Sequence, residues 1–223
     1  SNVAALAGIS MSYSHAVSKF GGSSELLNSA FEQASKALNI APEDAFVLRA
    51  YGLAADVRGH ITTAIKYYEH ALEVNPSHIS AYGDIAYLLT IKGQLSEAFN
   101  HQLLAMSGKQ QFRQTQMGQL LYLLGEQKEA EHWFCQAVLL NPHNVTDRRI
   151  YLEFLVKTGR FRQVEQHFAE GSDSVNQEPS FTIVYGIALA MQNKKQEALD
   201  VFQNVESEGL KQLESLLWQS YLL

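Results

Sequence analysis

The chain has 223 residues, of which 46% are hydrophobic, and a formal net charge of −6. This length suits one large or two small domains, and the apolar fraction excludes a disordered or membrane-embedded chain. A negative net charge argues against direct nucleic-acid binding by this segment, because that affinity comes mainly from neutralising phosphates. No stretch is long and apolar enough to span a bilayer, and a single cysteine, Cys135, excludes an internal disulfide framework.

Residues 3–44 predict an irregular first pair of helices. The first helix is expected over Val3–Ser18, followed by a Gly-rich break, and the second over Glu25 to Asn39. Ser24 is expected to cap the second helix, and Pro42 to stop it. Apolar or small residues share one face of each helix: Leu6, Ile9 and Tyr13 on the first, and Ala30, Ala34 and Ala37 on the second.

Residues 45–78 predict a helix, a tight turn, a second helix and a stop, and these features recur along the chain. The mid-repeat glycine returns as Gly59, Gly93, Gly125, Gly159 and then Asn193, at separations of 34, 32, 34 and 34 residues. A second set, Ala64, Ala98, Ala130, Val164 and Ala198, follows the same series. Because two position sets share one period, we predict five such repeats after the irregular first pair, which makes six in all, and the apolar stretch at the end of the chain predicts a last helix. Their approximate bounds are 3–44, 45–78, 79–110, 111–144, 145–178 and 179–212 for repeats 1 to 6, and 210–223 for the C-terminal helix.

Each recurring residue type has a physical role. The mid-repeat Gly or Asn permits a positive φ where the first helix of a pair ends. Small residues on both helices of a pair permit their close approach, large residues fill the space between repeats, and proline ends the second helix. The small residues are at 52, 86, 118 and 186 on the first helices and at 64, 98, 130 and 198 on the second helices. The large residues are at 68, 134, 168 and 202, and the prolines at 42, 76 and 142.

Two repeats depart from this pattern. The third is two residues short near Ser107-Gly108-Lys109 and lacks its proline, which predicts a shortened turn between repeats. The fifth has Leu152 where a small residue is expected, and we therefore predict that its two helices pack more loosely or shift.

A period near 34 residues, with Tyr51-Gly52, Ala64, Tyr68 and Pro76 as its marks, resembles the tetratricopeptide repeat (TPR). The resemblance covers nearly the whole chain, although Gln102 stands where the family has an aromatic residue. It implies an all-α fold: an α-solenoid of antiparallel helix pairs in a right-handed superhelix, with about six repeats and a C-terminal capping helix in one domain over residues 1–223. In such solenoids each repeat buries its apolar face only against its neighbours.

The family resemblance also implies a peptide-binding groove, lined by the first helix of each pair. The implied positions place Tyr87 and Tyr122 at the centre, with Arg49 and Arg149 toward either side. Tyrosine and arginine are residue types that dominate interface energetics. The alternative, that these are ordinary solvated positions, stays open. The carboxylate clamp of chaperone-binding members is excluded, since it needs Lys and Asn at positions that hold neither. The candidate peptide-binding residues are Arg49, Tyr87, Gln119, Tyr122, Arg149 and Glu153.

No catalytic residue, metal site or cofactor is predicted. His132 and Cys135 lie at metal-ligand spacing on one helix, but no further ligands are evident. No nucleophile elbow, Ser/His/Asp order or pair of carboxylates suggests an active site. Asn144-Val145-Thr146 is a glycosylation sequon that matters only in a glycosylating secretory pathway.

The expected function is a non-catalytic interaction scaffold that binds a peptide or protein segment in its concave groove. An alternative comes from the first repeat, which resembles the opening repeat in C-terminal regions of winged-helix transcriptional activators and of some adenylyl cyclases. That likeness implies a sensory or regulatory segment of a larger bacterial protein. The apolar residues in 210–223 leave self-association through the C-terminal helix open. A cytoplasmic location is favoured, or a periplasmic one within a membrane-anchored regulator.

Overall fold

A computed structural model describes residues 2–21, 23–107, 113–170 and 178–205. These residues contain twelve helices and no strand, which confirms the all-α solenoid of repeats. None of the described helices is both long and apolar enough to cross a membrane. The helices are α1 (Val3–Phe20), α2 (Ser24–Ile40), α3 (Ala45–Asp56), α4 (Ile61–Val74), α5 (Ile79–Ile91), α6 (Leu95–Met106), α7 (Gln114–Leu123), α8 (Gln127–Leu140), α9 (Val145–Lys157), α10 (Phe161–Ala169), α11 (Pro179–Met191) and α12 (Lys195–Gln203).

The chain divides into two compact units, Ser1–Leu124 and Gly125–Leu223, called here the N-terminal and the C-terminal unit. The N-terminal unit contains the pairs α1/α2, α3/α4 and α5/α6 and then α7. The C-terminal unit contains α8 and then the pairs α9/α10 and α11/α12. The predicted proline stops are confirmed, since α2, α4 and α8 each end two residues before a proline.

The turns inside the helix pairs have the predicted backbone conformation. Gly59, Gly93, Gly125 and Gly159 have φ values of +79°, +74°, +89° and +74°, and Asn193 has φ +62°. A Cβ added at any of the four glycines would meet no other atom within 4 Å. The glycines are therefore required by the left-handed backbone conformation and not by lack of space.

Replacing Gly125 isolates this conformational requirement. We expect Gly125→Val to destabilise the chain by about 1–2 kcal/mol, because a branched side chain is strained at positive φ. Gly125→Asn should cost much less, since asparagine tolerates this region and already occupies it at Asn193. The two variants can be compared by their urea unfolding midpoints. Equal losses for Val and Asn would contradict the conformational explanation.

Small residues bring the paired helices together as predicted. A Cβ added at Gly52 would lie 2.6 Å from Cε1 of the buried Tyr68, and one at Gly186 would lie 2.6 Å from Cε1 of the buried Phe202. Each aromatic ring on the second helix therefore lies directly against the backbone of the first helix. This contact confirms the predicted close approach in both units.

The first helix pair differs from the prediction at its ends. The first helix reaches Phe20 instead of ending at Ser18, and the second begins at Ser24 instead of Glu25. Ser23, and not Ser24, is the N-cap: its Oγ accepts a hydrogen bond from the backbone N–H of Leu26 at 3.4 Å. Two adjacent serines offered the same capping chemistry, and the backbone of Ser23 has the extended conformation that a cap needs.

Of the apolar face predicted for α1, Leu6 packs against a buried cluster, but the other two residues do not. Ile9 and Tyr13 are 44% and 36% exposed, whereas Ala7, Ser10 and Ser14 are fully buried. The Ser10 hydroxyl donates to the carbonyl oxygen of Ala30 at 2.7 Å, so small residues face α2. The predicted alanine face of α2 is confirmed, since its three alanines are fully buried. Close packing against alanines favours serine over the larger side chains of the same helix.

In the fifth repeat the aromatic residue of the second helix packs against the next helix pair. Leu152 is buried in α9. The Phe168 ring of α10 stacks on Tyr185 of α11, with ring centroids 3.9 Å apart and planes within 7°. Looser packing of this repeat stays a prediction. The short turn predicted within 107–110 and the C-terminal helix 210–223 lie largely or wholly outside the described residues.

Candidate functional site

The six predicted groove residues occupy the first helices of their repeats, four in the N-terminal unit and two in the C-terminal unit. In the N-terminal unit, Tyr87 of α5 is 57% exposed, Gln119 of α7 is exposed and Tyr122 of α7 is half-buried. An exposed tyrosine is available for contact with a partner. The name tyrosine face is used below for these three side chains taken together.

Arg49 of α3, a predicted groove residue, is paired within the N-terminal unit. Its side chain is only 12% exposed, and its Nε donates a hydrogen bond to Asp84 Oδ2 of α5 at 2.6 Å. A partner would have to compete with Asp84 for this guanidinium. Arg49 therefore links repeats 2 and 3 within the N-terminal unit.

Arg113, which precedes α7, is a residue that sequence reasoning missed. Its Nη2 donates to the carbonyl oxygen of Ser80 at 3.1 Å and lies 3.7 Å from Asp84 Oδ1. The guanidinium occupies the space beside Gly83, where an added Cβ would lie 1.5 Å from Nη1. Gly83 lies inside a helix, and such a glycine is a signal that another side chain comes close.

Gln102 holds the backbone of the same residue. Its side chain is 2% exposed, and its Nε2 donates to the carbonyl oxygen of Arg113 at 3.1 Å. The sequence placed Gln102 where other repeats have an aromatic residue. Its amide thus makes a polar contact in place of the apolar packing found at Tyr68 and Phe202.

Burial shapes the electrostatics around Asp84. It raises the pKa of Asp56, with the nearby Asp84 charge adding to the effect. It also raises the pKa of Tyr68, whose hydroxyl is buried without a hydrogen-bond partner among the described residues. It lowers the pKa of His78, an effect that the Arg49 charge reinforces. The tight ion pair between Arg49 and Asp84 therefore has neighbours whose burial disfavours their charged forms.

Acidification should destabilise the N-terminal unit through His78 and His101. Burial lowers the pKa of both in the folded chain, so the unfolded chain binds protons more readily. Their contribution to stability is complete above the unfolded pKa of about 6.5 and is lost as pH falls through the lower folded value. The thermal unfolding midpoint should fall as the pH is lowered from about 7.5 to about 5. It should fall less steeply in the double variant that carries both His78→Gln and His101→Gln. Parallel profiles for variant and parent would contradict this cause.

In the C-terminal unit the two predicted groove residues pair with each other. Arg149 Nη1 donates to Glu153 Oε1 one turn later on α9. The Cys135 thiol of α8 donates to the Tyr151 hydroxyl at 3.4 Å, and His132 lies edge-on to Trp133. Within the described parts of the chain, no group of three or more His, Cys, Asp or Glu side chains could hold a metal ion.

The sequon asparagine has a structural role in the same unit. Asn144 is the N-cap of α9, and its Oδ1 accepts hydrogen bonds from the backbone N–H groups of Thr146 at 3.0 Å and Asp147 at 3.3 Å. These bonds satisfy donors that a helix start otherwise leaves unpaired.

Two segments of the chain, residues 50–78 and 114–144, match the family model described as tetratricopeptide repeat. The chain therefore contains tetratricopeptide repeats. Proteins of this family bind other proteins or peptides, and their repeats generally form non-catalytic scaffolds. The TPR fold thus indicates a protein–protein interaction scaffold. Comparison of this TPR chain with curated proteins finds no match.

Solved structures show the same fold at low sequence identity. A tetratricopeptide repeat protein from Parabacteroides merdae is 19% identical, with a TM-score of 0.71 over 97% of this chain and 85% of that one. The human IFIT1 dimer with PPP-AAAA is 17% identical, with a TM-score of 0.81 over 99% of this chain and 55% of that one. YrrB, a TPR protein with an unusual peptide-binding site, is 20% identical, with a TM-score of 0.57 over 84% and 92%. These likenesses establish only the fold of this chain.

Proposed function

We propose that this chain is a non-catalytic scaffold that binds an extended segment of a partner protein on the tyrosine face of its N-terminal unit. The observation that carries the proposal is the exposure of Tyr87, 57% on the first helix of its pair. A tyrosine gives large contact area with little loss of conformational entropy and a hydroxyl for hydrogen bonding. Gln119 adds donor and acceptor groups to the same face.

Arg49 supports this face in the proposal and does not provide its main contact. The 2.6 Å bond to Asp84 fixes the guanidinium, and displacing it would leave a half-buried carboxylate without that partner. Arg149 and Glu153 are proposed as a second contact region, in the C-terminal unit. YrrB is a TPR protein with a peptide-binding site, and this supports peptide recognition by a chain of the same fold.

Removing the two aromatic rings tests the proposal. Peptides selected from a random displayed library on the unaltered chain provide the probe, and their Kd is then measured for a Tyr87→Ala, Tyr122→Ala double variant. We expect affinity to fall about tenfold or more, because aromatic anchors carry much of the energy of such interfaces. Helical content by circular dichroism should stay unchanged.

Leu103→Ala provides the matched control. Leu103 is an exposed large side chain on α6, the second helix of its pair, and so lies on a different helix from Tyr87 and Tyr122. Its replacement should leave Kd unchanged. Selected peptides that bind the tyrosine variant as tightly as the parent chain would refute the tyrosine face as the binding surface.

A further inference from the structure

The departures of the third repeat from the repeat pattern converge on one residue. Gln102 replaces an aromatic residue, Gly83 lies inside a helix, and both contact Arg113. Gln102 binds the backbone carbonyl of Arg113, and Gly83 gives its guanidinium room to lie against α5. Gly83, Gln102 and Arg113, which are separated in sequence, thus meet at the start of α7.

Asp84 joins this contact to the preceding repeat. One carboxylate oxygen accepts a hydrogen bond from Arg49 Nε of α3 at 2.6 Å, and the other lies 3.7 Å from Arg113 Nη2. All three side chains are 12–18% exposed. Charges that are largely removed from water interact more strongly than charges on an open surface, so this arrangement is energetically significant.

We propose that Gln102, Gly83, Asp84 and Arg113 form an ionic latch that fastens the start of α7 to α5 and, through Arg49, to α3. In repeats 2 and 6 the position of Gln102 holds an aromatic ring, Tyr68 or Phe202, that packs against a glycine of its own helix pair. At α7 the contact depends instead on charge and hydrogen bonding. The attachment of α7, the helix that carries Gln119 and Tyr122, therefore depends on the Asp84 carboxylate. The latch requires no binding partner and is independent of the proposed function.

Gly83→Ala tests the latch because its effect on the thermal midpoint should have opposite signs with and without Arg113. In the unaltered chain the new methyl group would displace the guanidinium, so the thermal midpoint should fall. In an Arg113→Ala background that clash is absent, and alanine favours helix over glycine, so the same substitution should raise the midpoint. Gly8→Ala in α1, where an added Cβ meets nothing within 4 Å, is the matched control and should raise the midpoint in both backgrounds.

Hydrogen exchange on the complete chain gives a second readout that does not depend on Gly83→Ala folding. Protection of the α7 amides should fall about tenfold in Asp84→Asn relative to the unaltered chain, while protection in α2 changes little. Equal effects of Gly83→Ala in both backgrounds, or unchanged protection of α7 in Asp84→Asn, would overturn the latch.

Discussion

Replacing Ala64 by leucine should destabilise the chain by roughly 1–3 kcal/mol, because the added atoms have no space. Ala64 is fully buried on α4. Its carbonyl oxygen lies only 3.2 Å from where a Cβ at Gly52 would stand, and the Tyr68 ring closes the same space at 2.6 Å. A leucine would have to push α3 and α4 apart or displace a buried ring.

The measurement is the urea unfolding midpoint, with the slope of the transition as a check that the unfolded state is unchanged. Thr63→Leu is the matched control, because Thr63 neighbours Ala64 on the same helix and is exposed. It adds similar apolar volume without overpacking and should change stability by less than about 0.5 kcal/mol.

A second copy of the experiment is available in the C-terminal unit. Ala130 on α8 is the equivalent position and is also fully buried. Ala130→Leu should destabilise to a similar extent. Neutral outcomes at both alanines would contradict the role assigned to the small residues of the repeat.

The repeated features could be predicted because their causes are local. A positive φ at Gly93 or Asn193 depends on a few neighbouring residues, and the same requirement recurs in each repeat. The alanine face of α2 was also correct, since only small residues permit helices to approach closely. A periodic sequence therefore shows both where helices end and which faces meet.

The buried face of α1 could not be predicted from the hydrophobicity of α1 alone, because it also depends on the side chains that α2 presents. Ile9 and Tyr13 are the larger apolar residues, but α2 presents a row of alanines that leaves room only for small side chains. The choice between Ser23 and Ser24 as cap depended on backbone angles that the sequence does not contain.

The candidate site stays a prediction. The sequence placed Tyr87 on the first helix of its pair, where its side chain is exposed. The partner of Arg49 was not predicted, because Asp84 lies 35 residues further along the chain. Arg113 was missed for the same reason, although Gly83 and Gln102 both signalled an unusual neighbour.

Removal of the Asp84 carboxylate is the second change with a large expected effect. Asp84→Ala should destabilise the chain by about 2–4 kcal/mol, because Arg49 and Arg113 would be left close together with their common counter-charge removed. A fully buried pair would lose more, but these side chains keep 12–18% of their exposure and so remain partly hydrated. Asp84→Asn should lose less, since its amide oxygen can still accept from Arg49.

The Glu32–Lys36 pair of α2 gives the comparison that assigns this cost to burial. Its side chains are 61% and 52% exposed at an N–O distance of 2.6 Å, the same distance that separates Arg49 from Asp84. Glu32→Ala should therefore change the urea midpoint by no more than about 0.5 kcal/mol. Distance alone would predict equal losses for the two carboxylates, and such equality would show that Asp84 is an ordinary surface ion pair. A several-fold greater loss at Asp84 would show that its desolvated setting, and not its short contact, makes it important to the N-terminal unit.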